Sequence, residues 1–358
     1  MFGPFKKEKP LTGLTGMGGG ATGLGRAGGL SGWVATGGDI YDMPDGSTIH
    51  MFTSSGSLVV QNLVGDGSDV ADNLVIGGGG SGGGDDGGGG GAGGAVWAPG
   101  YPMAKGTFPI TVGDGGVSSE PPGSRGHGLP GDDSSYYSSA DAANGKLTGK
   151  GGGGGAEQSM NPGVMDGGCG GGSGAGLWHP DWIPTNGGRY MGFTNMPTTT
   201  QYPGTTSVYG NPGTGWIGPS NTDSPNRVCG GGGGGLNGSG PIPSGDGGSA
   251  RPFSSFPGPH FAAPNSPTGS AMPTDWQSAV GPTGLFGGGG GGGNRNPTNY
   301  GEAPYPGAGR GGYGNTNDAP GHGQNGLANT GSGGGGDDGT GDKAGLGAKG
   351  IVIVHFKV

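Results

Sequence analysis

Long runs of consecutive glycine recur along this chain, and they constrain its fold more than any other feature of the sequence. Glycine fills 104 of the 358 positions, which is about four times its usual share. The longest runs are 87–91, 151–155, 230–235, 287–293 and 333–336. Because glycine has no side chain to bury and loses more backbone freedom on folding than any other residue, these runs cannot build a conventional hydrophobic core.

The ordered form open to polyglycine is an extended threefold helix that rises about 3.1 Å per residue and has no internal hydrogen bonds. Its N–H and C=O groups must therefore pair with neighbouring helices wherever they are buried. With no Cβ atoms between them, such helices can pack side by side. The glycine runs predict a bundle of polyglycine II helices, and the missing Gly-X-Y period excludes collagen.

Short β-branched and aromatic stretches outside the glycine runs predict strands. Residues 49–53 and 58–60 flank a Ser-Ser-Gly-Ser turn, which indicates a β-hairpin. Two further strands are predicted at 73–76 and 107–112. Pro109 has no N–H to donate within the second of these, so a sheet edge suits it.

The strongest strand signal is the last one, at 351–358, where the sequence is IVIVHFKV. A strand here could pair with the early strands and hold the two ends of the glycine-rich insert together. The predicted fold is mainly β and irregular: a small β-sandwich carrying a long insert of polyglycine II helices. The predicted divisions are an extended anchoring segment at 1–38, a β-rich base at 39–116, the helix bundle with aromatic loops at 117–349, and a closing strand at 350–358.

Composition excludes several classes of function. The net charge is −9 and the only basic cluster is Lys6, Lys7 and Lys9, which argues against a nucleic-acid partner. The chain has no run of about 18 apolar residues, so we expect no membrane insertion. No apolar stretch follows the N-terminal lysines, so we expect no signal peptide. Cys169 and Cys229 are either two free thiols or a disulfide that closes a loop of about 60 residues.

No pattern of residues predicts catalysis or a cofactor. Spaced glycines that resemble a dinucleotide motif arise by chance in this composition and do not sit between a strand and a helix. Paired cysteines for zinc are absent from the sequence. Acidic pairs at 85–86, 132–133 and 337–338 adjoin glycine-rich stretches. They suit either solvated turns, which we favour, or calcium ligands, and the first and third pairs lie in similar runs that suggest similar ends of the bundle.

The order of these segments resembles a known family. Residues 46–60, 73–80, 106–116 and 350–356 follow the order strand, polyglycine, strand and closing strand. In this they resemble the glycine-rich domains of bacteriophage tail fibres and tail-tip proteins, notably those of marine and cyanobacterial phages. The resemblance spans about residues 46–358, although 117–340 matches only in style.

The resemblance implies a virion appendage in which a polyglycine scaffold displays loops that bind the host. The implied partners are other virion proteins, bound through the N-terminus, and a host-surface glycan or outer-membrane protein. A homo-oligomer, with the trimer usual for fibres, is also implied. Candidates for the virion anchor are Phe2, Phe5, Lys6, Lys7, Leu11 and Leu14.

Aromatic residues in the segments between glycine runs are the candidates for receptor contact, because exposed aromatic side chains are typical anchors of binding surfaces. They are Trp178, His179, Trp182, Tyr190, Trp216 and Trp276. The alternative is that they cap the open ends of the bundle. Two other functions stay open: a head fibre or capsid decoration protein with a structural role, and a non-viral glycine-rich matrix protein.

Overall fold

The computed structural model describes most of the chain between Trp33 and Lys357. The described residues are 33–43, 45–63, 69–119, 126–137, 146–157, 165–174, 192, 194–196, 205–215, 230–241, 245–264, 270–294, 301–303, 305, 307–313, 321–339 and 343–357. Their regular secondary structure is mainly β. The strands are β1 (Val34–Thr36), β2 (Asp39–Asp42), β3 (Thr48–Phe52), β4 (Gly56–Asn62), β5 (Val70–Ile76), β6 (Ala95–Pro102), β7 (Gly106–Thr111), β8 (Ser134–Tyr137), β9 (Lys146–Gly149), β10 (Ser207–Tyr209), β11 (Arg251–Pro252), β12 (Leu285–Phe286) and β13 (Ile351–Phe356).

Two antiparallel sheets form a β-sandwich, which confirms the predicted mainly-β fold. The larger sheet has the order β10-β6-β5-β13-β3-β2, and the smaller has the order β1-β4-β7-β8-β9. One hydrophobic cluster joins residues of the two sheets, including Val75 and Val354 from the larger and Leu58, Phe108 and Tyr136 from the smaller. The two sheets therefore face each other across a conventional side-chain core.

The C-terminal strand closes the larger sheet, as the sequence predicted. β13 lies between β3 and β5 and pairs antiparallel with both. Its first residue, Ile351, is the register partner of Ile76, the last residue of β5. The first glycine run begins at Gly77 and the last glycine-rich segment ends at Gly350. The paired strands thus hold the start and the end of the glycine-rich insert together.

Two predictions about the early strands are wrong. β3 and β4 do not form a hairpin, because β3 belongs to the larger sheet and β4 to the smaller. The short connection at 53–55 carries the chain from one sheet to the other, and β3 pairs instead with β2 and the distant β13. Pro109 also lies in an interior strand rather than at an edge. It is accommodated because β8 pairs only with Ile110 and Thr111 of β7.

A second hydrophobic cluster covers the opposite face of the larger sheet. Met51, Leu74 and Ile353 project from that face and pack with residues of a segment at 251–286. This segment contains β11, a 3-10 turn (Gly258–Ala262), a short helix α1 (Thr274–Val280) and β12. Both faces of β13 are consequently buried, which explains its run of consecutive apolar residues.

The glycine runs form a lattice in which backbone pairs with backbone. Within 77–84, every third N–H donates to the same neighbouring segment. One row donates to 88–94, the next to 126–132 and the third to 345–348, with the acceptor positions also stepping by three. These glycines lack positive φ. A period of three, extended backbone and pairing only between segments are the properties of polyglycine II helices.

Sandwich and lattice alternate along the chain. The lattice begins at Gly77, inside the predicted base at 39–116. The sandwich in turn takes β8, β9 and β10 from the predicted bundle at 117–349, and β1 from the predicted anchor at 1–38. The chain therefore crosses between strands and glycine helices many times, and the two regions share one continuous backbone.

Candidate interaction surface

The lattice has one end far from the strands, which we call the distal end. The run 77–84 leaves β5, turns through Asp85 and Asp86, and returns as 87–94 to β6, with the N–H of Gly83 bonded to the carbonyl of Gly88 across the turn. Both aspartates have φ of 54°. Backbone hydrogen bonds place other segments at the same level, through Gly126, Ala156, Gly230, Gly293 and Asp337.

Several parts of the chain outside the described residues adjoin this distal end in sequence. They are 120–125, 158–164, 175–191, 216–229, 295–300 and 340–342. Five of the six aromatic or histidine candidates fall in these parts, namely Trp178, His179, Trp182, Tyr190 and Trp216. These five candidates lie outside the described residues. The structure places only the described residues on either side of them.

The opposite end of the molecule, which we call the sandwich end, is where the described chain begins and ends. The indole Nε1 of Trp33 donates to the carbonyl oxygen of Lys357 at 3.0 Å. The Trp33 ring also packs on Phe356, with ring centroids 4.6 Å apart. Residues 1–32 therefore join the described structure at the sandwich end. The anchor candidates Phe2, Phe5, Lys6, Lys7, Leu11 and Leu14 lie outside the described residues.

Trp276 does not belong to a displayed loop, and the prediction of receptor contact is corrected at this position. It lies on α1 and is 1% exposed. Its Nε1 donates to the carbonyl of Asn329 at 3.1 Å, and its ring packs edge-on against Phe261 and Phe286. Nothing in the sequence separated Trp276 from the other aromatic candidates, because its burial depends on a sheet face assembled from distant strands. Its role is to cover the outer face of the larger sheet.

The acidic pairs divide into two environments. Asp132 and Asp133 are exposed, and Asp133 forms an ion pair with Lys150 at 2.7 Å. The pairs at 85–86 and 337–338 are buried, so the solvated-turn interpretation is wrong for them. Their predicted placement at one end of the bundle is confirmed, because the Asp337 N–H bonds to the carbonyl of Gly83. Among the described residues no three potential ligands are grouped to hold a metal ion.

No sequence pattern indicated the polar cluster that His355, Ser47 and Asp45 form at the sandwich end. His355 Nε2 lies 2.7 Å from Ser47 Oγ, and Ser47 donates that hydroxyl to Asp45 Oδ1 at 2.6 Å. In a hydrolase triad the histidine would instead accept the serine proton and the aspartate would bind the histidine. Ser47 is also 2% exposed, so no substrate can reach its hydroxyl. The arrangement holds β13 to the turn before β3 and has no nucleophilic geometry.

Cys169 is a free thiol buried in the lattice. Burial raises its thiol pKa to about 12, so it stays protonated and unreactive near neutral pH. This agrees with the free-thiol alternative at this position, while Cys229 lies outside the described residues. No helix in the described part of the chain has the length and apolar character that a membrane crossing requires.

A sandwich of antiparallel sheets joined to a lattice of polyglycine helices defines a glycine-rich class of β protein. The chain belongs to the glycine-rich domain family, whose model matches residues 53–257. This match begins just after β3 and ends in the segment that covers the larger sheet, so it includes strands and lattice together. No curated protein matches the chain.

Proposed function

We propose that this chain is a bacteriophage virion appendage, a tail-fibre or tail-tip adhesin, that binds the host surface through the segments at its distal end. The observation that carries this proposal is the polarity of the molecule. Residues 1–32 join it at the sandwich end, where Trp33 contacts Lys357, whereas the aromatic-rich segments 175–191 and 216–229 adjoin the distal end.

The dimensions suit a spacer between a particle and a cell. The six residues of β13 span roughly 20 Å at about 3.4 Å each. Eight residues of glycine helix span roughly 25 Å at about 3.1 Å each. Attachment through residues 1–32 would therefore hold the distal end roughly 45 Å from the anchor point. A particle and a cell present broad surfaces to each other. A separation of this size keeps the distal end clear of the particle surface, where it is free to contact the cell.

The lattice also supports binding through its rigidity. Described residues that flank the distal segments are tied to neighbouring helices by backbone hydrogen bonds, as Ser173 is to Thr214 and Gly231. Fixed ends reduce the entropy that a segment loses when it binds a partner. Several copies on one particle would add avidity, so each copy needs only modest affinity. The proposed partners are a glycan or an outer-membrane protein of the host at the distal end and other virion proteins at residues 1–32.

The test is immunogold labelling of purified virions that carry the chain, followed by adsorption measurements. Label at tail tips or fibres supports the proposal. Label spread over the head favours a head fibre or decoration protein, and absence of label from every particle overturns the assignment to a virion.

A pair of variants then tests the binding end. The double variant Trp178→Ala and Trp182→Ala changes two aromatic candidates in one distal segment, and we expect adsorption at least tenfold slower. The matched control is Trp276→Phe, because Trp276 is buried and contacts no solvent. Unchanged adsorption by folded W178A/W182A particles would contradict this role for the distal segment.

A further inference from the structure

Two buried histidines lie at the sandwich end, on neighbouring strands. His50 is in β3 and is 2% exposed, and His355 is in β13 and is 7% exposed. The ring of Phe356 contacts the His50 ring edge-on, with centroids 5.3 Å apart. Trp33 packs on that same phenyl ring. One histidine therefore supports the contact between the last strand and the point where residues 1–32 join the structure.

His50 is held by a carbonyl at the turn between β1 and β2. Its Nδ1 lies 2.8 Å from the oxygen of Gly37, so this nitrogen carries the proton and donates it. Across the sheet His50 pairs with Ile40 of β2 and Val354 of β13, which are both uncharged. The charged group that acts on it is Asp42, on β2. A positive imidazolium here would be buried mainly among apolar side chains.

His355 is held by the hydroxyl of Ser47, which is itself bonded to Asp45. Because the serine donates to the carboxylate, His355 Nε2 carries the proton and Nδ1 is the position that a second proton would occupy. That Nδ1 is buried and has no hydrogen-bond partner within the described chain. Asp72 of β5 is its cross-strand neighbour.

The elements that pack on His355 bring charged and aromatic groups close to its imidazole. Asp72 forms an ion pair with Lys357 and also accepts the N–H of Gly100 at 2.8 Å. The uncharged ring of Phe256, from the segment that covers the sheet, lies 6.1 Å from the imidazole. Asp72 and Asp45 favour the protonated imidazole, whereas burial and Lys357 oppose it.

We propose that the sandwich end is an acid-sensitive closure, in which protonation of His50 and His355 separates the end of β13 from β3 and releases the Trp33 contact. Protonation would add an N–H with no acceptor at His355 and an uncompensated charge at His50. An imidazolium keeps the N–H donors that now bond to Gly37 and Ser47, so the cost of protonation comes from the buried charge and the unpaired N–H. The aromatic stack on Phe356 depends on the position of the His50 ring. Release would free the point from which residues 1–32 extend, while the lattice contains neither histidine.

The direction of the pH dependence follows from the pKa shifts. Burial lowers the pKa of His50 from 6.5 to about 4, against the opposing effects of the Gly37 carbonyl and Asp42. Burial also lowers the pKa of His355. Each histidine has a lower pKa in the folded state than in the open state, so the open state binds protons more readily. Acid therefore favours opening. The closure is therefore fully stabilised above about pH 6.5 and weakens as the pH falls towards about 4.

The experiment is hydrogen exchange of the full-length chain at pH 7.5 and pH 4.5, with rates corrected for the intrinsic effect of pH. We expect the amides of 352–356 and 34–36 to exchange at least tenfold faster at the lower pH, while those of 287–293 keep their protection. An equal acceleration in the lattice would mean global unfolding and would overturn the proposal.

A double variant separates the histidines from other acid-sensitive groups. His50→Asn keeps a donor near Nδ1, and His355→Gln keeps a donor near Nε2, but neither side chain titrates. We expect the acid acceleration at 352–356 to disappear, and its persistence would contradict the proposal. Should the variant fail to fold, NMR titration of the wild-type imidazoles decides: pKa values below about 6.5 for both rings support the closure, and a pKa at or above about 6.5 for either ring overturns it.

Discussion

The sandwich and the lattice bury their backbones in opposite ways. In the sandwich, side chains such as Leu58 and Val354 fill the space between two sheets, and the backbone is paired only along the strand edges. In the lattice, backbone fills the space itself, and each glycine helix is bonded to several neighbours in turn. The first region tolerates a change of side chain if volume is kept, whereas a Cβ added at most lattice glycines would fall on the backbone of a neighbouring helix.

Where a lattice helix lies at the surface, its exposed side chains follow the threefold period. In 113–117 the exposed positions are Asp114 and Val117, which are three residues apart. In 343–350 the side chains of Lys343, Leu346 and Lys349 also occur at every third position. An uninterrupted glycine run therefore indicates an interior helix, and a residue every third position indicates a row that faces solvent.

The largest expected effect is that of a methyl group inside the lattice. A Cβ at Gly90 would lie on the carbonyl of Gly80, far inside contact distance. We expect Gly90→Ala to lose more than about 4 kcal/mol or fail to fold, because backbone on all sides cannot move away. The control is Gly56→Ala in β4, where the nearest atoms belong to Phe52 at 3.9 Å. A stable G90A protein in denaturant unfolding would contradict a close-packed backbone lattice.

The next effect belongs to the sandwich core. Ile353 is fully buried on the face of β13 that packs against the 251–286 segment. We expect Ile353→Ala to destabilise the protein by about 2–5 kcal/mol and Ile353→Val by only about 0.5–1.5 kcal/mol. Urea unfolding monitored by circular dichroism measures both. Equal losses in the two variants would mean that volume does not govern this core.

A buried amide in the sandwich should be replaceable with gain. Asn73 lies on the inner face of β5 beside Ala71 and Val75, and neither polar atom of its side chain has a hydrogen-bond partner in the described chain. We expect Asn73→Val to stabilise the protein by about 1–3 kcal/mol, because an unsatisfied buried polar group is removed. Gln61→Val on the exposed face of β4 is the control, with a change within about 0.5 kcal/mol. Destabilisation by N73V would show that the amide is satisfied in solution.

The smallest expected effect is at the lattice surface. Lys349 Nζ and Asp114 Oδ1 are 3.2 Å apart, on side chains that are 36% and 72% exposed. A double-mutant cycle with Lys349→Ala and Asp114→Ala should give a coupling energy below about 1 kcal/mol, because solvent screens the pair. The coupling should fall further in 1 M salt. A larger, salt-independent value would mean that surface rows hold the lattice together.

Much of this fold could be predicted from the sequence where the signal is local. The strand at 73–76, the strand at 107–112 and the closing strand are confirmed, and the glycine runs adopt the expected threefold helices. The hairpin prediction failed because a three-residue connection suits a turn within one sheet as well as a crossing between two. Nothing local to β3 reveals that its partner is a strand some 300 residues later.

The candidate site was predicted less completely, for the same reason. The burial of Trp276 depends on a sheet face that is assembled from both ends of the chain. His50 and His355 gave no sequence signal, since their burial at the sandwich end arises only when β3 pairs with β13. Which end of the molecule holds the described residues that flank the aromatic-rich segments, and which end holds Trp33, depends on how many times the chain crosses the lattice.

The sequence by itself determined that backbone must pack on backbone, because 104 glycines offer no side chains to bury. It also determined that a β-branched C-terminal segment would form a strand. Only the tertiary structure decided which glycine helix lies beside which, because identical residues carry no information about their neighbours. That choice is made by the strands, whose distinct side chains fix the register from which each helix starts.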